Sequence, residues 1–197
     1  MKKIPTLFSR SFEDHIVTGI SPELSSPDLQ WVLDGEGVVT VKIDGACCAI
    51  LSGVFYKRYD AKKDKRGNIK KPPESAIPCC DPDPVTGHWP HWMPVDPASP
   101  DDQWFLKARE NTLGELKAGT YEAVGPHFQS NPYGLEADTL KRHGEHVITV
   151  PRSFEGIRAY LENHVVEGIV FWKDGEPRCK IKRRDFGFKW PDENAEM

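Results

Sequence analysis

The chain has 197 residues, 38% of them hydrophobic and 28% charged, with a formal net charge of −4. This suits one soluble globular domain with a real core, or one domain with an elaborated loop. No apolar run approaches the ~20 residues of a membrane helix, the Met1-Lys2-Lys3-Ile4-Pro5 start lacks the apolar segment of a signal peptide, and the cysteines, Cys47-Cys48, Cys79-Cys80 and Cys179, suit reduced thiols in a cytoplasmic protein better than a disulfide framework.

In chain order, residues 1–35 are mixed. Leu7, Phe8 and Phe12 are candidate anchors, and Ser21-Pro22, Ser25-Ser26-Pro27 and Asp34-Gly35 are loop punctuation. Gly37 to Val41 and Ala46 to Leu51 read as strands either side of Lys42-Ile43-Asp44-Gly45, with Asp44-Gly45 as a tight reversal and Val54 to Tyr59 as a third antiparallel strand. Lys42 thus closes a β-branched strand, and low-dielectric walls there favour a neutral, nucleophilic amine. The alternative is an edge-strand lysine that blocks aggregation.

Residues 72–100 hold nine prolines and the run Gly87-His88-Trp89-Pro90-His91-Trp92. Proline removes a backbone donor, so the stretch is expected to form neither regular sheet nor helix. Its tryptophans argue for a packed, substrate-facing lid. Cys79, Cys80, His88 and His91 are zinc-ligand types, but adjacent cysteines are poor spacing for one ion. Asp101-Asp102 starts a short helix with Trp104, Phe105 and Ala108 inward. Thr120 to Gly125 and His146 to Val150 read as strands, with turn chemistry at Asn131-Pro132-Tyr133-Gly134. Ser153 caps a helix to about Asn163. Val165 to Trp172 is a strand carrying Glu167, Asp174-Gly175 a hairpin turn, and Arg178 to Lys182 a strand with Lys180 and Lys182 on one face.

Charge is unevenly spread. Lys57 to Lys71 has eight basic and two acidic residues, a local +6, and Lys173 to Lys189 has seven and three, a local +4. Such stripes can meet phosphates on an acidic protein, or be solvated faces. Lys42 with Asp44, Glu122, Glu167, and Lys180 with Lys182 each interrupt apolar strands. Four such interruptions are best explained by one shared cleft, because charges on core strands need partners.

The order of these residues resembles the covalent nucleotidyltransferases, which comprise ATP-dependent DNA and RNA ligases and mRNA capping enzymes. Lys42-Ile43-Asp44-Gly45 is similar to motif I (KxDG), Tyr121-Glu122-Ala123-Val124-Gly125 to motif III, Glu167-Gly168-Ile169-Val170-Phe171 to motif IV and Lys180-Ile181-Lys182 to motif V. The cysteine doublet after the lysine, the loop around Asp83 to Pro90, Asn131-Pro132-Tyr133-Gly134 and Lys180-Ile181-Lys182-Arg183-Arg184…Trp190-Pro191 resemble the animal-type 5′–3′ RNA ligases and their microbial and viral relatives. The resemblance covers residues 36–191.

It implies an α+β nucleotidyltransferase domain (the ATP-grasp-like adenylation domain of ligases) over residues 1–197, with mostly antiparallel sheets, a few flanking helices and no OB domain. It also implies ATP as cofactor, AMP carried covalently on Lys42, and RNA with 5′-phosphate and 3′-hydroxyl ends as partner. Lys42, Lys180 and Lys182 are the implied catalytic residues. The nucleotide would be bound by Lys42, Asp44, Gly45, Arg58, Glu122, Phe154, Glu167, Lys180 and Lys182, with Glu122 on the ribose hydroxyls, Arg58 on phosphate and Phe154 against adenine or simply in the core. Asp44 reads as orienting the lysine. Glu167 would hold Mg²⁺, or Mn²⁺ in its place. The RNA backbone is expected on Lys62, Lys63, Lys65, Lys70 and Lys71. Ala46, Cys47 and Cys48 depart from the arginine that many DNA ligases carry shortly after KxDG. Only fifteen residues follow Lys182, too few for an OB domain. A capping-type guanylyltransferase and a non-catalytic RNA-end-binding module are the competing readings.

Overall fold

The computed structural model describes residues 3–13, 16–62, 67–68, 71–84, 86–192 and 194–197. Lys63, Lys65 and Lys70, three of the lysines expected to grip RNA, lie outside these residues. In chain order the elements are β1 (Phe8–Glu13), β2 (Ile16–Leu24), α1 (Gln30–Leu33), β3 (Val38–Lys42), β4 (Ala46–Leu51), β5 (Val54–Ala61), β6 (Ile77–Pro78), β7 (Trp89–Pro94), α2 (Gln103–Asn111), β8 (Gly119–Val124), β9 (Thr139–Arg142), β10 (Val147–Ile148), α3 (Phe154–Asn163), β11 (Gly168–Lys173) and β12 (Glu176–Lys182). This is a mixed α+β chain, dominated by antiparallel sheet. It divides into two compact units, one built on Gly45–His143 and the other on Ile4–Asp44 and Gly144–Met197.

In the second unit, β10, β3, β11 and β12 form a four-stranded antiparallel sheet. Period-two alternation sorts its side chains. Val39, Val41, Ile169, Phe171, Cys179 and Ile181 are all buried and share one face. The outer edge of β12 is covered, since Lys180 N–H donates to Pro5 O (3.0 Å) and Lys180 O accepts from Leu7 N–H (2.7 Å). Asp174 and Gly175, at φ 55° and 75°, make the two-residue turn between β11 and β12. Ser153 Oγ caps α3 by accepting from Gly156 N–H at 3.1 Å. Arg183 closes the other end, donating to the carbonyls of Leu161, Glu162 and His164. A buried cation there also complements the negative end of the helix dipole.

In the first unit, the order β6-β7-β5-β4-β8-β9 makes a six-stranded antiparallel sheet. One face packs Cys48, Ile50, Phe55, Tyr121, Ala123 and Leu140 with Ala108, Trp104 and Phe105 of α2. The helix start is fixed by Asp102, 1% exposed, which pairs with Lys57 and accepts from Asp96 N–H at 2.8 Å.

Four expectations are corrected. First, β3 and β4 are not hairpin partners, because they belong to different sheets. Asp44-Gly45 is therefore a crossing segment. Gly45 is required by close approach: a Cβ there would stand 2.5 Å from Ala123 O. Second, the proline-rich stretch does contain sheet. Pro90 lies inside β7, opposite Asp60 of β5. Its carbonyl accepts from Cys79 N–H (2.9 Å), on the side away from β5. In an antiparallel strand a residue's N and O point the same way, so the missing donor falls where β6 is only two residues long. Third, β11 starts at Gly168, so Glu167 precedes the strand, and His146 to Val150 contributes only the two residues of β10. Fourth, Phe12 is 54% exposed, although Leu7 and Phe8 are core, and Phe8–Glu13 and Ile16–Leu24 pair as antiparallel strands β1 and β2 rather than forming loop.

Candidate active site

Lys42 ends β3, and its register partner on β11 is Gly168, which is itself opposite Lys182 on β12. Lys42, Gly168 and Lys182 thus form one row across three strands. The next row on the same face is Thr40, Val170 and Lys180. Gly168 keeps the row flat, because a Cβ there would meet Ile181 O at 2.3 Å. Both lysines reach one carboxylate. Lys42 Nζ donates to Glu167 Oε2 at 2.5 Å, and Lys182 Nζ donates to Glu167 Oε1 at 2.6 Å.

The Glu167 side chain is only 3% exposed, against 20% for Lys42 and 28% for Lys182. Burial alone would raise its pKa. The charges of Lys42 and then Lys182 outweigh that, and the net shift is downward. Arg183 N–H holds the Glu167 carbonyl at 2.9 Å, which fixes the residue at the strand entrance. Lys42 therefore does not sit between bare apolar walls, as the strand pattern suggested, but is held by the Glu167 carboxylate. Glu167 is the carboxylate of this row that would hold a hard divalent cation, although no group of three or more His, Cys, Asp or Glu is placed to ligate one among the described residues.

Asp44 accepts from the indole Nε1 of Trp190 at 2.8 Å. Trp190 is 8% exposed, so this bond fastens the segment just after Lys42 to the C-terminal region of the same unit. Asp185, in the turn after β12, accepts from Lys182 N–H (2.8 Å) and pairs with Arg10 (3.1 Å), fixing the end of the lysine strand. Phe154, at the start of α3, lies edge-on to Phe8 (5.0 Å) and Phe186 (5.4 Å) in an aromatic cluster.

The remaining candidates lie in the first unit. On β8, Glu122 is 7% exposed and stands opposite Cys47 on β4 and Lys141 on β9. Its Oε1 lies 3.0 Å from His143 Nε2. Its Oε2 is buried and has no hydrogen-bond partner among the described residues. Burial, followed by the Glu122 charge, pushes the Cys47 thiol up to about 12, so Cys47 is neutral. Arg58 Nε donates to Asp60 Oδ1 at 2.8 Å, and His88 Nε2 lies 3.3 Å from the same oxygen. Burial raises the Asp60 pKa, but the Arg58 hydrogen bond and charge more than reverse it.

The expected basic loop is thus partly strand. Lys57 and Arg58 belong to β5 and are held by Asp102 and Asp60, while Lys62 and Lys71 are exposed. His91 is 1% exposed and packs beside Trp89 at 4.5 Å, so the β7 part of the proline-rich stretch is packed into its unit, whereas most of residues 71–84 are exposed. Sequence reasoning missed His143, Asp60, Asp185 and the Trp190 contact. His143 and Trp190 meet partners 21 and 146 residues away, with no local pattern to mark them, while Asp60 and Asp185 bond Arg58 and Lys182 two and three residues off.

No family model matches the chain. It is 22% identical over 227 residues to a Pongo abelii protein named RNA ligase 1, covering 79% of this chain and 69% of that one. A Rattus norvegicus protein of the same name is 25% identical over 229 residues, with the same coverage. A Danio rerio RNA ligase 1 is 28% identical over 142 residues, 53% of this chain and 42% of that one. These similarities support a relationship to RNA ligases.

Proposed function

We propose that the chain is an ATP-dependent RNA ligase that joins 5′-phosphate and 3′-hydroxyl RNA ends through a lysyl–AMP intermediate. The observation that carries this reading is the Lys42–Glu167–Lys182 row: a strand-end lysine, a buried carboxylate and a second lysine on adjacent strands. The similarity to proteins named RNA ligase 1 supports it.

Lys42, freed from Glu167 and deprotonated, attacks the α-phosphorus of ATP. The new N–P bond forms as the bond to the β-phosphate oxygen breaks, and pyrophosphate leaves. Lys180 and Lys182 offset the charge that builds on the α-phosphate. A 5′-phosphate oxygen of RNA then takes the AMP and restores Lys42. The 3′-hydroxyl next attacks the RNA phosphorus and AMP leaves. Glu167 is the residue that would hold Mg²⁺, whose chemistry is to neutralise phosphate charge. Glu122 accepts ribose hydroxyls, Arg58 contacts phosphate, and Asp44 keeps Lys42 placed through Trp190.

The test is intact mass after incubation with ATP and Mg²⁺, with GTP in parallel, followed by a chase with 5′-phosphorylated RNA. The reading expects a gain of one AMP from ATP, and transfer of that AMP to RNA with recovery of the unmodified protein. A GMP adduct in its place would favour the capping-type reaction. No adduct from either nucleotide would favour the end-binding module.

A further inference from the structure

We propose that His143 is a positioning residue for nucleotide selection: it holds Glu122 by one carboxylate oxygen so that the other faces a sugar hydroxyl. The proposal rests on the reading of Glu122 as the ribose acceptor.

The geometry begins in the backbone. Just past the end of β9, His143 N–H donates to Thr120 O at 3.1 Å, which fixes the residue beside β8. Thr120 and Glu122 are two apart on β8 and therefore share a face. The His143 ring spans them, with Nδ1 2.9 Å from Thr120 Oγ1 and Nε2 3.0 Å from Glu122 Oε1. A carboxylate oxygen can only accept, so Nε2 carries the proton and Thr120 sets the ring orientation. Side-chain exposure is 15% for His143 and 10% for Glu122, so the bond is shielded from water.

A purely structural Glu–His pair buried in a sheet would be expected to have both carboxylate oxygens satisfied. Here Oε2 has no hydrogen-bond partner among the described residues, though it is buried. The residue opposite on β4, Cys47, is a neutral thiol held up to about 12 by burial and then by Glu122 itself. An unpaired buried acceptor is costly until a donor arrives, and a hydroxyl of the nucleotide sugar is such a donor. The His143–Thr120 pair thereby makes the oxygen selective: it cannot turn away to another partner without breaking the Oε1 bond. A site built to bond a hydroxyl discriminates against the analogue that lacks it.

The experiment measures lysyl–AMP formation from ATP, 2′-deoxyATP and 3′-deoxyATP by the wild-type chain, His143→Ala, His143→Gln and Thr120→Val, with thermal melts to confirm folding. The wild type should prefer ATP over at least one deoxy analogue by about 10- to 150-fold, the range for a hydrogen bond to a charged group. His143→Ala should erase most of that preference by raising KM for ATP, leaving the deoxy analogue nearly unchanged. His143→Gln, whose amide N–H can still donate to Oε1, should keep it, and Thr120→Val should lower it partway. A folded His143→Ala variant, or His143→Gln if the alanine variant fails to fold, that changes overall rate but keeps the wild-type preference (with Thr120→Val also unchanged) overturns the proposal. A wild type that adenylates all three nucleotides equally overturns it too, while leaving Lys42 as nucleophile. No adduct from any nucleotide overturns the underlying reading, and the proposal with it.

Discussion

Glu167 and Glu122 are both glutamates among apolar antiparallel strands, 3% and 7% exposed. They differ in what their oxygens touch. Each oxygen of Glu167 is taken by a lysine ammonium, whereas Glu122 has one oxygen on His143 and one without a hydrogen-bond partner among the described residues. A carboxylate whose two oxygens each hold an ammonium group presents two like charges to an arriving cation, so binding a cation there is an exchange. An unsaturated one gains a bond outright. On the proposed reading, the lysine row has to open to take a ligand, whereas Glu122 keeps one buried oxygen without a hydrogen-bond partner among the described residues.

The largest effect should come from breaking the saturated side. Glu167→Gln leaves two neighbouring ammonium groups without their anion. Adenylation should fall to background, and stability should drop by about 2–3 kcal/mol. That is less than the roughly 3–5 kcal/mol for breaking a fully buried pair, because both lysines are partly exposed. Denaturant melts and single-turnover adenylation check both. A variant with wild-type stability would show that the triad contributes nothing net.

Next are the lysines. Lys182→Ala and Lys180→Ala should each slow adenylation by about 30- to 1000-fold, the loss of one preorganised donor. If both variants react at the wild-type rate, the assignment of β12 to the phosphate is wrong.

The same carboxylate has a pH signature. The folded pKa of Glu167 lies below the ordinary 4.5. Its contribution to stability is therefore fully present above about 4.5 and is lost as pH falls through the lower folded value. The stability gap between wild type and Glu167→Gln should be flat from pH 7 down to about 5, then shrink on further acidification. A gap that widens in acid would reverse the sign argued here.

Much of this was legible in the sequence, for reasons particular to each residue. Lys42, Glu167, Lys180 and Lys182 show because a charge inside or at the mouth of a β-branched run breaks a period-two pattern, and the β12 pair shares a face by that same period. The Asp174-Gly175 turn and the Ser153 cap are local chemistry and are found where they were expected. The Lys42 turn was misread because Asp-Gly signals a hairpin, while Gly45 serves close contact with Ala123. The strand through Pro90 was missed because a proline is tolerated where its missing donor faces a short neighbour. His143 and Trp190 were invisible as site residues. Nothing local tells that one meets Glu122 and the other Asp44.

Trp190 gives a smaller effect. Trp190→Phe removes the donor to Asp44 but keeps most of the apolar ring. Stability should fall by about 1 kcal/mol, and adenylation should slow more than ATP binding weakens. Equal kcat for the two proteins would free Lys42 from any dependence on this contact.

The smallest effect on chemistry belongs to the basic stretch. Replacing Lys62, Lys63, Lys65, Lys70 and Lys71 together should flatten the dependence of RNA binding on salt concentration, because phosphate contacts release counterions. Lysyl–AMP formation should stay near wild type. Unchanged RNA affinity and salt slope would make these lysines a solvated face and turn attention to Lys173 to Lys189.

The central claim is that Lys42 is the covalent nucleophile. Its most direct measurement is peptide mapping of the chain after ATP and Mg²⁺, beside the Lys42→Ala variant. One AMP on the peptide holding Val38 to Gly45, joined to the lysine through an acid-labile phosphoramidate and missing from Lys42→Ala, is the predicted result. An AMP adduct on any other peptide, or one that persists in Lys42→Ala, would contradict the account.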